Sequence, residues 1–347
     1  MSGPQPGSRR PTRLADVAAV VGVSVATVSR ALNGVDGVSD EQRSRIIAEA
    51  ERLGYVRDAI GHSLRLGRNY LVGAWLESIQ NASSGRFVSA LTDALQPEGY
   101  DILVTEYSHD PAQDQSRIVS LARRRPDFMV VLHPPHQEAF AELRHQGHEV
   151  VLVSSGPADE WSGPLVSVDS TQSRLDMAMH LVELGHRRML VTQPARRLGR
   201  PGGGVLRRVV REAELPLEVE LLPIPDGDKS DEALSEVITR LQQPDAPTCL
   251  QINEAMAAPL LARLRDAGFR IPDDLSVLTT GAPAWADLVN PALSCTDVDY
   301  YACGLAVAEV ILALRDGASP ELRVVQGRYI RRDSVGPAPN FVTEAVG

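Results

Sequence analysis

Cysteine is scarce in this chain, and long apolar runs are absent. The 347 residues include only three cysteines, Cys249, Cys295 and Cys303, which lie far apart and form no CxxC pair. This argues against a disulfide scaffold and against a zinc site, so we expect no metal. No apolar run approaches the ~20 residues that a helix needs to cross a bilayer, which excludes an integral membrane protein.

A secretory signal is also missing. The N-terminal stretch MSGPQPGSRRPTR has no apolar segment behind its arginines. A signal peptide needs such a segment. We therefore expect a cytoplasmic protein with no membrane partner.

The sequence lacks the motifs of common enzyme classes. It has no G-x-S-x-G elbow, no P-loop G-x-x-x-x-G-K, no paired metal motif and no G-x-G-x-x-G after a strand. Gly202, Gly203 and Gly204 follow Pro201 and lack the dinucleotide spacing. Although parallel α/β sheets host many enzymes, we expect no enzyme activity, no catalytic residue and no cofactor here.

Basic charge is concentrated near the N-terminus. The net charge is −10, yet residues 1–69 hold ten Arg and seven Asp/Glu, whereas the remainder holds 25 basic and 38 acidic residues. A basic head on an acidic body indicates that only the head meets a polyanion. Chance unevenness explains the same numbers equally well. The 34 arginines against a single lysine indicate a GC-rich genome rather than a function.

From Tyr70 onward, apolar strand candidates alternate with amphipathic helices. The strands are predicted at 71–76, 101–105, 128–132, 150–153, 189–192, 248–252 and 275–279, and the helices include 86–95, 170–184, 231–241, 255–267 and 302–314. This alternation predicts an α/β fold with a parallel sheet covered on both faces. Roughly 280 residues exceed one such domain, so we expect two lobes. Ligands in such folds bind beyond the carboxyl ends of the strands.

A compact helical unit precedes this region and follows a Gly-, Pro- and Ser-rich tail at 1–11. Apolar residues recur at helical spacing over 14–21, Gly22 interrupts them, and Ser24 can cap a second helix that ends at Asn33-Gly34. The SDEQ stretch from Ser39 opens a third helix with a capping box. Two short helices joined by a tight turn, with a third across them, are typical of a helix-turn-helix. The alternative is an ordinary helical hairpin.

The second helix is the candidate DNA-reading element. Its start exposes Val25, Ala26, Thr27 and Arg30, where a recognition helix meets base edges. Three short polar residues suit phosphate oxygens, namely Ser24, Ser29 and Asn33.

The head resembles that of the lactose-repressor family of bacterial transcription regulators. The run GVSVATVSRALNG, the VS start of the third helix and the LGY before the hinge fall at the family's spacing. The body aligns through ELGHRRMLVT (183–192), INEAMAAPLLARLRDAGFRIPDDLSVLTTG (252–281) and NPALSCTDVDYYACGLAVAEVIL (290–312). The resemblance covers about residues 12–335.

This resemblance implies a small all-α head and a two-lobed core like a periplasmic sugar-binding protein. The implied segments are a helix-turn-helix domain at 12–57, a hinge helix and linker at 58–69, and an effector-binding and dimerisation core at 70–340. Within the core, the N-lobe spans about 70–168 and 296–324, and the C-lobe about 169–295 and 325–340. The resemblance further implies a homodimer, or a tetramer, on a palindromic double-stranded DNA operator.

The family's hinge folds into a short helix only on the operator, and a leucine from it wedges into the minor groove. By position the hinge is Asp58–Leu64 and the wedge is Leu64. The implied DNA-binding set also includes Thr12, Ser39, Tyr55 and Gly61. Asp58 and Gly61 depart from the family pattern, and Gly61 costs about 1 kcal/mol of helix propensity, so we expect weaker or more conditional hinge folding. The alternative role for Leu64 is packing between domains.

The implied effector site lies beyond the strand ends and departs from the family pattern. Its candidate residues are Asn81, Ser83, His133, Arg200, Asn253, Glu254, Trp285 and Asp297, with Arg197 as an alternative to Arg200. The family's Asn-Asp becomes Asn253-Glu254, and the aromatic pair after Asn81 is lost, which argues against a simple sugar. Carboxylates accept pairs of hydroxyls and Trp285 offers an aromatic face, so a sugar-like or other polar metabolite still fits.

Three of these residues also have structural interpretations. Glu254 would cap the helix that starts at Ala255, Trp285 would pack between lobes or in a dimer, and His133 is more typical of a loop histidine than of a metal ligand. The leading hypothesis is a homodimeric, effector-responsive transcription factor, expected to be a repressor and to associate with the nucleoid through DNA. The alternative is a DNA-binding regulator whose pocket has degenerated and that acts without a small molecule.

Overall fold

The computed structural model describes residues 12–32, 35–55, 68–108, 110–133, 137–155, 161–194, 204–224 and 231–339. Predicted site residues outside these ranges are Asn33, Gly61, Leu64, Arg197 and Arg200, together with the rest of the hinge at 58–64. The chain divides into two compact units, a head that ends at Asn69 and a core that begins at Tyr70.

Three helices form the head, α1 (Leu14–Val21), α2 (Val25–Leu32) and α3 (Asp40–Arg52). One apolar residue from each, Val17, Val28 and Ile46, is fully buried where the helices meet. Helix α1 ends at Gly22, whose φ of 77° lies in the left-handed region that glycine adopts without strain. The three predicted helices and the turn between the first two are therefore present.

Two arginines of α3 stabilise the ends of the other head helices. Arg43 donates to the carbonyls of Ala31 and Val35 at 3.1 and 3.0 Å, and Arg45 donates to the carbonyl of Val21 at 2.6 Å. The last carbonyls of a helix have no partner within that helix, so these bonds satisfy them. Part of the head's positive charge thus serves its own fold.

Eleven strands form one hydrogen-bonded order in the described part of the core. They are β1 (Leu71–Leu76), β2 (Asp101–Glu106), β3 (Phe128–Leu132), β4 (Val150–Ser155), β5 (Leu165–Asp169), β6 (Arg188–Pro194), β7 (Glu218–Ile224), β8 (Cys249–Asn253), β9 (Ser276–Thr280), β10 (Ser294–Val298) and β11 (Arg323–Ile330). Their order is β2-β1-β3-β4-β5-β11-β10-β9-β8-β6-β7. Every neighbouring pair is parallel except β10 with β11, so the predicted α/β fold is confirmed.

Strand β11 joins two lobes. Residues 323–326 pair in parallel with β5, and residues 327–330 pair antiparallel with β10. We call the half that contains β1–β5 the N-lobe and the half that contains β6–β10 the C-lobe. Because one continuous strand belongs to both sheets, a movement of one lobe against the other must bend β11.

Helices cover both faces of the sheets. They are α4 (Ala82–Leu95), α5 (Pro111–Ala122), α6 (Gln137–His145), α7 (Thr171–Glu183), α8 (Val205–Glu212), α9 (Asp231–Leu241), α10 (Glu254–Asp266) and α11 (Tyr300–Arg315). Alternate residues of β1 point to opposite faces, so Ala74 packs in the apolar cluster beneath α4 and α11, whereas Trp75 packs with Phe140 of α6. Helix α11 follows the C-lobe in sequence but packs on α4 of the N-lobe.

Sequence analysis does not predict β5, β7, β10 or β11. None of these strands is a continuous apolar run; β10 reads SCTDV and β11 reads RVVQGRYI. The polar residues of β10 are buried and form hydrogen bonds with groups outside the strand, among them Gln251, Arg328 and Ser334, whereas β11 is largely exposed. Hydrophobicity alone therefore gives no signal for either strand.

Candidate DNA-binding surface and interlobe site

Helix α2 presents its first turn and Arg30 to solvent. Val25, Ala26 and Arg30 are exposed, and Thr27 is half-buried. Val28 of the same helix is fully buried in the head core, which fixes the face that points outward. Small apolar side chains contact the thymine methyl in the major groove and arginine binds guanine, so this surface is suited to base edges.

Ser24 caps α2, as predicted from the sequence. Its Oγ accepts the backbone N–H of Thr27 at 3.0 Å and lies 2.8 Å from Thr27 Oγ1. Such a cap satisfies one of the donors left free at a helix start. Because a hydroxyl has one proton and two lone pairs, this pair retains hydrogen-bonding capacity for a phosphate.

Other predicted DNA-binding residues have partners inside the head. Thr12 Oγ1 donates to the carbonyl of Leu53 at 2.9 Å, and Ser39 Oγ accepts the N–H of Gln42 at 3.3 Å. Tyr55 packs against the head core, and Ser29 is half-buried. Thr12, Ser39 and Tyr55 therefore each stabilise the head in addition to their predicted contact with DNA.

Charged side chains from both lobes meet in what we call the interlobe site. It consists of Arg86 in α4 of the N-lobe, and of Glu254 at the start of α10 and Asp297 in β10 of the C-lobe. The structure thus brings together Glu254 and Asp297, the two carboxylates that the sequence places near strand ends. The three groups interact electrostatically: the positive charge of Arg86 lowers the pKa of Glu254, and the negative charge of Asp297 raises it.

Asp297 is buried and binds three donors. Its Oδ1 accepts the N–H of Ala282 at 3.2 Å and Arg86 Nη2 at 3.4 Å, and its Oδ2 accepts Arg328 Nη2 at 3.2 Å. The Asp297 side chain has no exposed surface, whereas that of Arg86 is 35% exposed. Because its oxygens already have donors and its side chain is buried, Asp297 is placed to hold Arg86.

Glu254 is the first residue of α10 and interacts with the N-lobe. Asn253 is the N-cap of α10, since its Oδ1 accepts the N–H of Ala255 at 2.9 Å, so the interpretation of Glu254 as the cap is wrong. Burial raises the pKa of Glu254 above its usual range, whereas Arg86 and the backbone N–H of Ala82 act in the opposite direction. The carboxylate is therefore half-buried and is stabilised in its charged form by groups of the other lobe.

Arg86 is the residue that sequence analysis misses. Its Nη2 lies 3.4 Å from Asp297 Oδ1 and 3.5 Å from the carbonyl oxygen of Ala282, and both distances are long. Its Nε is buried and has no hydrogen-bond partner among the described residues. The available signal is an arginine early in the helix that follows the first strand, but its partner Asp297 is 211 positions away.

His133 lies immediately after β3 and contacts two hydroxyl groups. Its Nε2 is 3.1 Å from Tyr300 Oη, and its Nδ1 is 3.3 Å from Ser155 Oγ. Its φ of 49° is unusual for a residue with a side chain. These contacts hold the imidazole in place at the carboxyl end of the N-lobe sheet.

The remaining predicted effector residues differ in their surroundings. Asn81 is the N-cap of α4 but makes no side-chain hydrogen bond to the helix, and Ser83 is half-buried in the first turn. Trp285 is half-buried and packs against the apolar core of the C-lobe, which favours the packing interpretation.

Within the described ranges, no group of three or more His, Cys, Asp or Glu side chains is placed to hold a metal ion. No single described helix is long and apolar enough to cross a membrane; α1 and α2 reach that length and composition only as a pair, which is bent by 104°.

Two protein families match the chain. The family described as bacterial regulatory proteins, lacI family, matches residues 13–58, and the periplasmic binding protein-like domain matches residues 178–335. The first match covers the head helices, and the second covers most of the C-lobe together with α11 and β11.

Curated relatives match along most of their length. The chain is 28% identical over 311 residues to the HTH-type transcriptional regulator MalR of Streptomyces coelicolor, a match that covers 87% of this chain and 89% of MalR. It is 25% identical over 283 residues to catabolite control protein A of Staphylococcus epidermidis, covering 80% and 85% of the two chains.

Solved structures share the fold. The lac repressor dimer bound to operator and the anti-inducer ONPF superimposes with a TM-score of 0.78 at 20% identity, covering 94% of this chain and 100% of that chain. The complex of the transcriptional regulator CelR with cellobiose gives a TM-score of 0.61 at 22% identity, with the same coverage. The head and the two-lobed core thus occur together in known proteins.

Proposed function

We propose that the chain, whose residues 13–58 match the lacI family of bacterial regulatory proteins, is a sequence-specific DNA-binding regulator that binds a palindromic operator as a homodimer and acts as a repressor. The main supporting observation is the outward face of α2, where Val25, Ala26 and Arg30 are exposed at a capped helix start. The described relatives are regulators, and one, PurR of Mannheimia succiniciproducens, is named a transcriptional repressor. Binding to chromosomal DNA would place the protein in the cytoplasm, at the nucleoid.

Selection of bound DNA from a random pool tests DNA binding and symmetry together. We expect enrichment of an inverted repeat, since two-fold protein symmetry is mirrored in the operator. Val25→Ser and Ala26→Ser should change the preferred half-site, because base contacts specify the sequence. Arg30→Ala should weaken binding, whereas Arg52→Ala, which removes an equal charge from the exposed Arg52–Glu49 pair, serves as the control. No enriched sequence would contradict the proposal.

We further propose that a small polar effector binds at the interlobe site and modulates DNA binding. The support is chemical: the buried Nε–H of Arg86 finds no acceptor in the described part of the chain, and an oxygen of a ligand would supply one. A similar fold is known in complex with cellobiose. The second candidate is a regulator without a ligand, which is favoured by the contacts that Arg86 and Glu254 already make within the chain.

Calorimetry with a panel of neutral sugars and acidic metabolites separates the two candidates. We expect at least one compound to bind the wild-type protein and to lose most of its affinity for Arg86→Gln. Arg315→Gln is the matched control, because Arg315 forms its ion pairs with Glu98 and Asp316 within the N-lobe. A compound that binds both variants as it binds the wild type would move the effector away from this site, and an empty panel would favour the ligand-free regulator.

A further inference from the structure

Two charged contacts cross between the lobes at the start of α4. In the first, Arg86 of the N-lobe reaches Asp297 and the carbonyl of Ala282 in the C-lobe. In the second, the Glu254 carboxylate lies beside Gly281 in the C-lobe, close enough to Arg86 for the guanidinium to lower its pKa. The N-cap residue Asn81 makes no side-chain hydrogen bond to this helix start, whose positive end favours a nearby negative charge.

We propose that Arg86 and Glu254 form an interlobe latch, which holds the two lobes together when no ligand is bound. Both contacts involve the first turns of α4. In one the N-lobe provides the positive charge, and in the other the C-lobe provides the negative charge. Glu254 places a negative charge at the positive end of α4, while Arg86 places a positive charge between two carboxylates. Side chains of the chain itself thus make the polar contacts across the interface that a bound ligand would otherwise supply.

Electrostatics favour the contact of Arg86 with the buried carboxylate of Asp297. Separating the lobes would leave the buried Asp297 carboxylate with one arginine fewer. Removing one partner of a buried ion pair is unfavourable, because the charge of the other partner is left uncompensated. Because the side chain of Asp297 has no exposed surface, the loss of Arg86 destabilises the charge of Asp297 more than that of the other groups.

The same geometry shows that the latch can open. The Arg86 contacts are long, at 3.4 and 3.5 Å, and 35% of its side chain is exposed, so solvent competes for it. Strand β11 is one of the backbone connections between the lobes, so a movement of one lobe against the other takes place at such connections. A latch of partly exposed charges is therefore a reversible contact rather than part of the apolar core.

Distance measurement between spin labels tests the latch directly. The chain suits site-specific labelling, because all three native cysteines are buried. Ile79→Cys in the N-lobe and Leu288→Cys in the C-lobe introduce labelling sites at residues that are 60% and 83% exposed. The distribution of distances between the two labels is measured in the absence of any ligand. It is compared between the labelled protein without further changes and the labelled protein that also carries Arg86→Met and Glu254→Gln.

We expect the combined variant to shift the main distance peak or to broaden it, and each single variant to give part of that change. Arg315→Met, which breaks an ion pair inside the N-lobe, should leave the distribution unchanged. If Arg86→Met does not fold, Glu254→Gln alone decides, since it preserves shape and removes charge. A distribution that superimposes on that of the wild type in every folded variant would overturn the latch. This readout is independent of DNA and effector, so it leaves the proposed function untouched.

Discussion

The imidazole of His186 is fully buried between Thr248 and the backbone of Gly336. Its Nδ1 lies 2.8 Å from Thr248 Oγ1, and its Nε2 lies 3.0 Å from the carbonyl oxygen of Gly336. A carbonyl only accepts, so Nε2 carries the proton and Nδ1 accepts from the threonine hydroxyl, which is the neutral form of the ring. His186 lies in the loop after α7. It thus links this loop to the residue before β8 and to the C-terminal segment of the C-lobe.

This burial makes the stability of the core depend on pH. Desolvation lowers the pKa of His186 below its ordinary value of 6.5, although the bond to Gly336 opposes the shift. Below pH 6.5 the unfolded chain therefore binds a proton that the folded chain does not, so stability falls with falling pH, by at most about 1.4 kcal/mol per pH unit. Above that pH the effect vanishes.

Urea unfolding from pH 7.5 to 5 measures this dependence. His186→Gln, which retains a donor for Gly336, should be less stable at pH 7.5 but should lose less stability on acidification than the wild type. His180→Gln is the comparison: burial also lowers the pKa of His180, but its ring is only half-buried, so this variant should reduce the pH dependence less than His186→Gln. Equal pH slopes in wild type and His186→Gln would contradict the assignment.

Helices α4 and α11 approach each other at Gly304. A Cβ at this position would lie 2.6 Å from the carbonyl oxygen of Phe87 and 2.6 Å from Ala90 Cβ. Gly304→Ala should therefore destabilise the core by about 1–3 kcal/mol, the usual effect of overpacking. Gly85→Ala in α4 is the matched control, since a Cβ there meets nothing within 4 Å. It should stabilise the helix by up to about 1 kcal/mol. Thermal unfolding with the same sign for both variants would contradict this packing.

The head could be predicted from the sequence almost in full, because its signals are local. The turn at Gly22 and the cap at Ser24 each depend on residues within one helical turn. The core was predicted as a class, but β11 was not, because its pairing partners β5 and β10 come from opposite lobes. The interlobe site was predicted only on its acidic side. Glu254 follows a strand that the sequence predicts, and Asp297 lies in β10, which it does not predict, whereas Arg86 meets Asp297 through the tertiary fold alone.

The predicted hinge at 58–64, which lies outside the described residues, should couple its folding to DNA bending. Seven residues are too few for a stable isolated helix, since helices below ~12–15 residues are marginal in water. Leu64→Ala should reduce both specific affinity and the bend, because unstacking by the leucine is lost. Gly61→Ala should tighten operator binding by lowering the ordering cost. A permuted-site gel shift measures the bend, and a bend that is indifferent to Leu64→Ala would remove the wedge.

Gly281 lies against the latch and offers an independent way to disturb it. Its φ is 90°, and a Cβ at this position would lie 2.5 Å from Glu254 Oε2. Gly281→Ala must therefore displace the Glu254 carboxylate, in addition to the strain of about 1–2 kcal/mol that alanine has in left-handed backbone. Gly268→Ala separates the two effects, because Gly268 has a φ of 87° and open space around its missing Cβ.

Both glycine variants should lose stability from backbone strain, but only Gly281→Ala should also change the distance between labels at Ile79→Cys and Leu288→Cys. The reason is that the Glu254 carboxylate would move relative to Arg86 and to the start of α4, where Asn81 makes no side-chain hydrogen bond to the helix. If Gly281→Ala and Gly268→Ala gave the same label distances at equal folded fractions, the position of Glu254 would have no influence on the lobes. Arg86 would then have to hold the interface with Asp297 by itself, and the Arg86→Met variant would account for the whole opening.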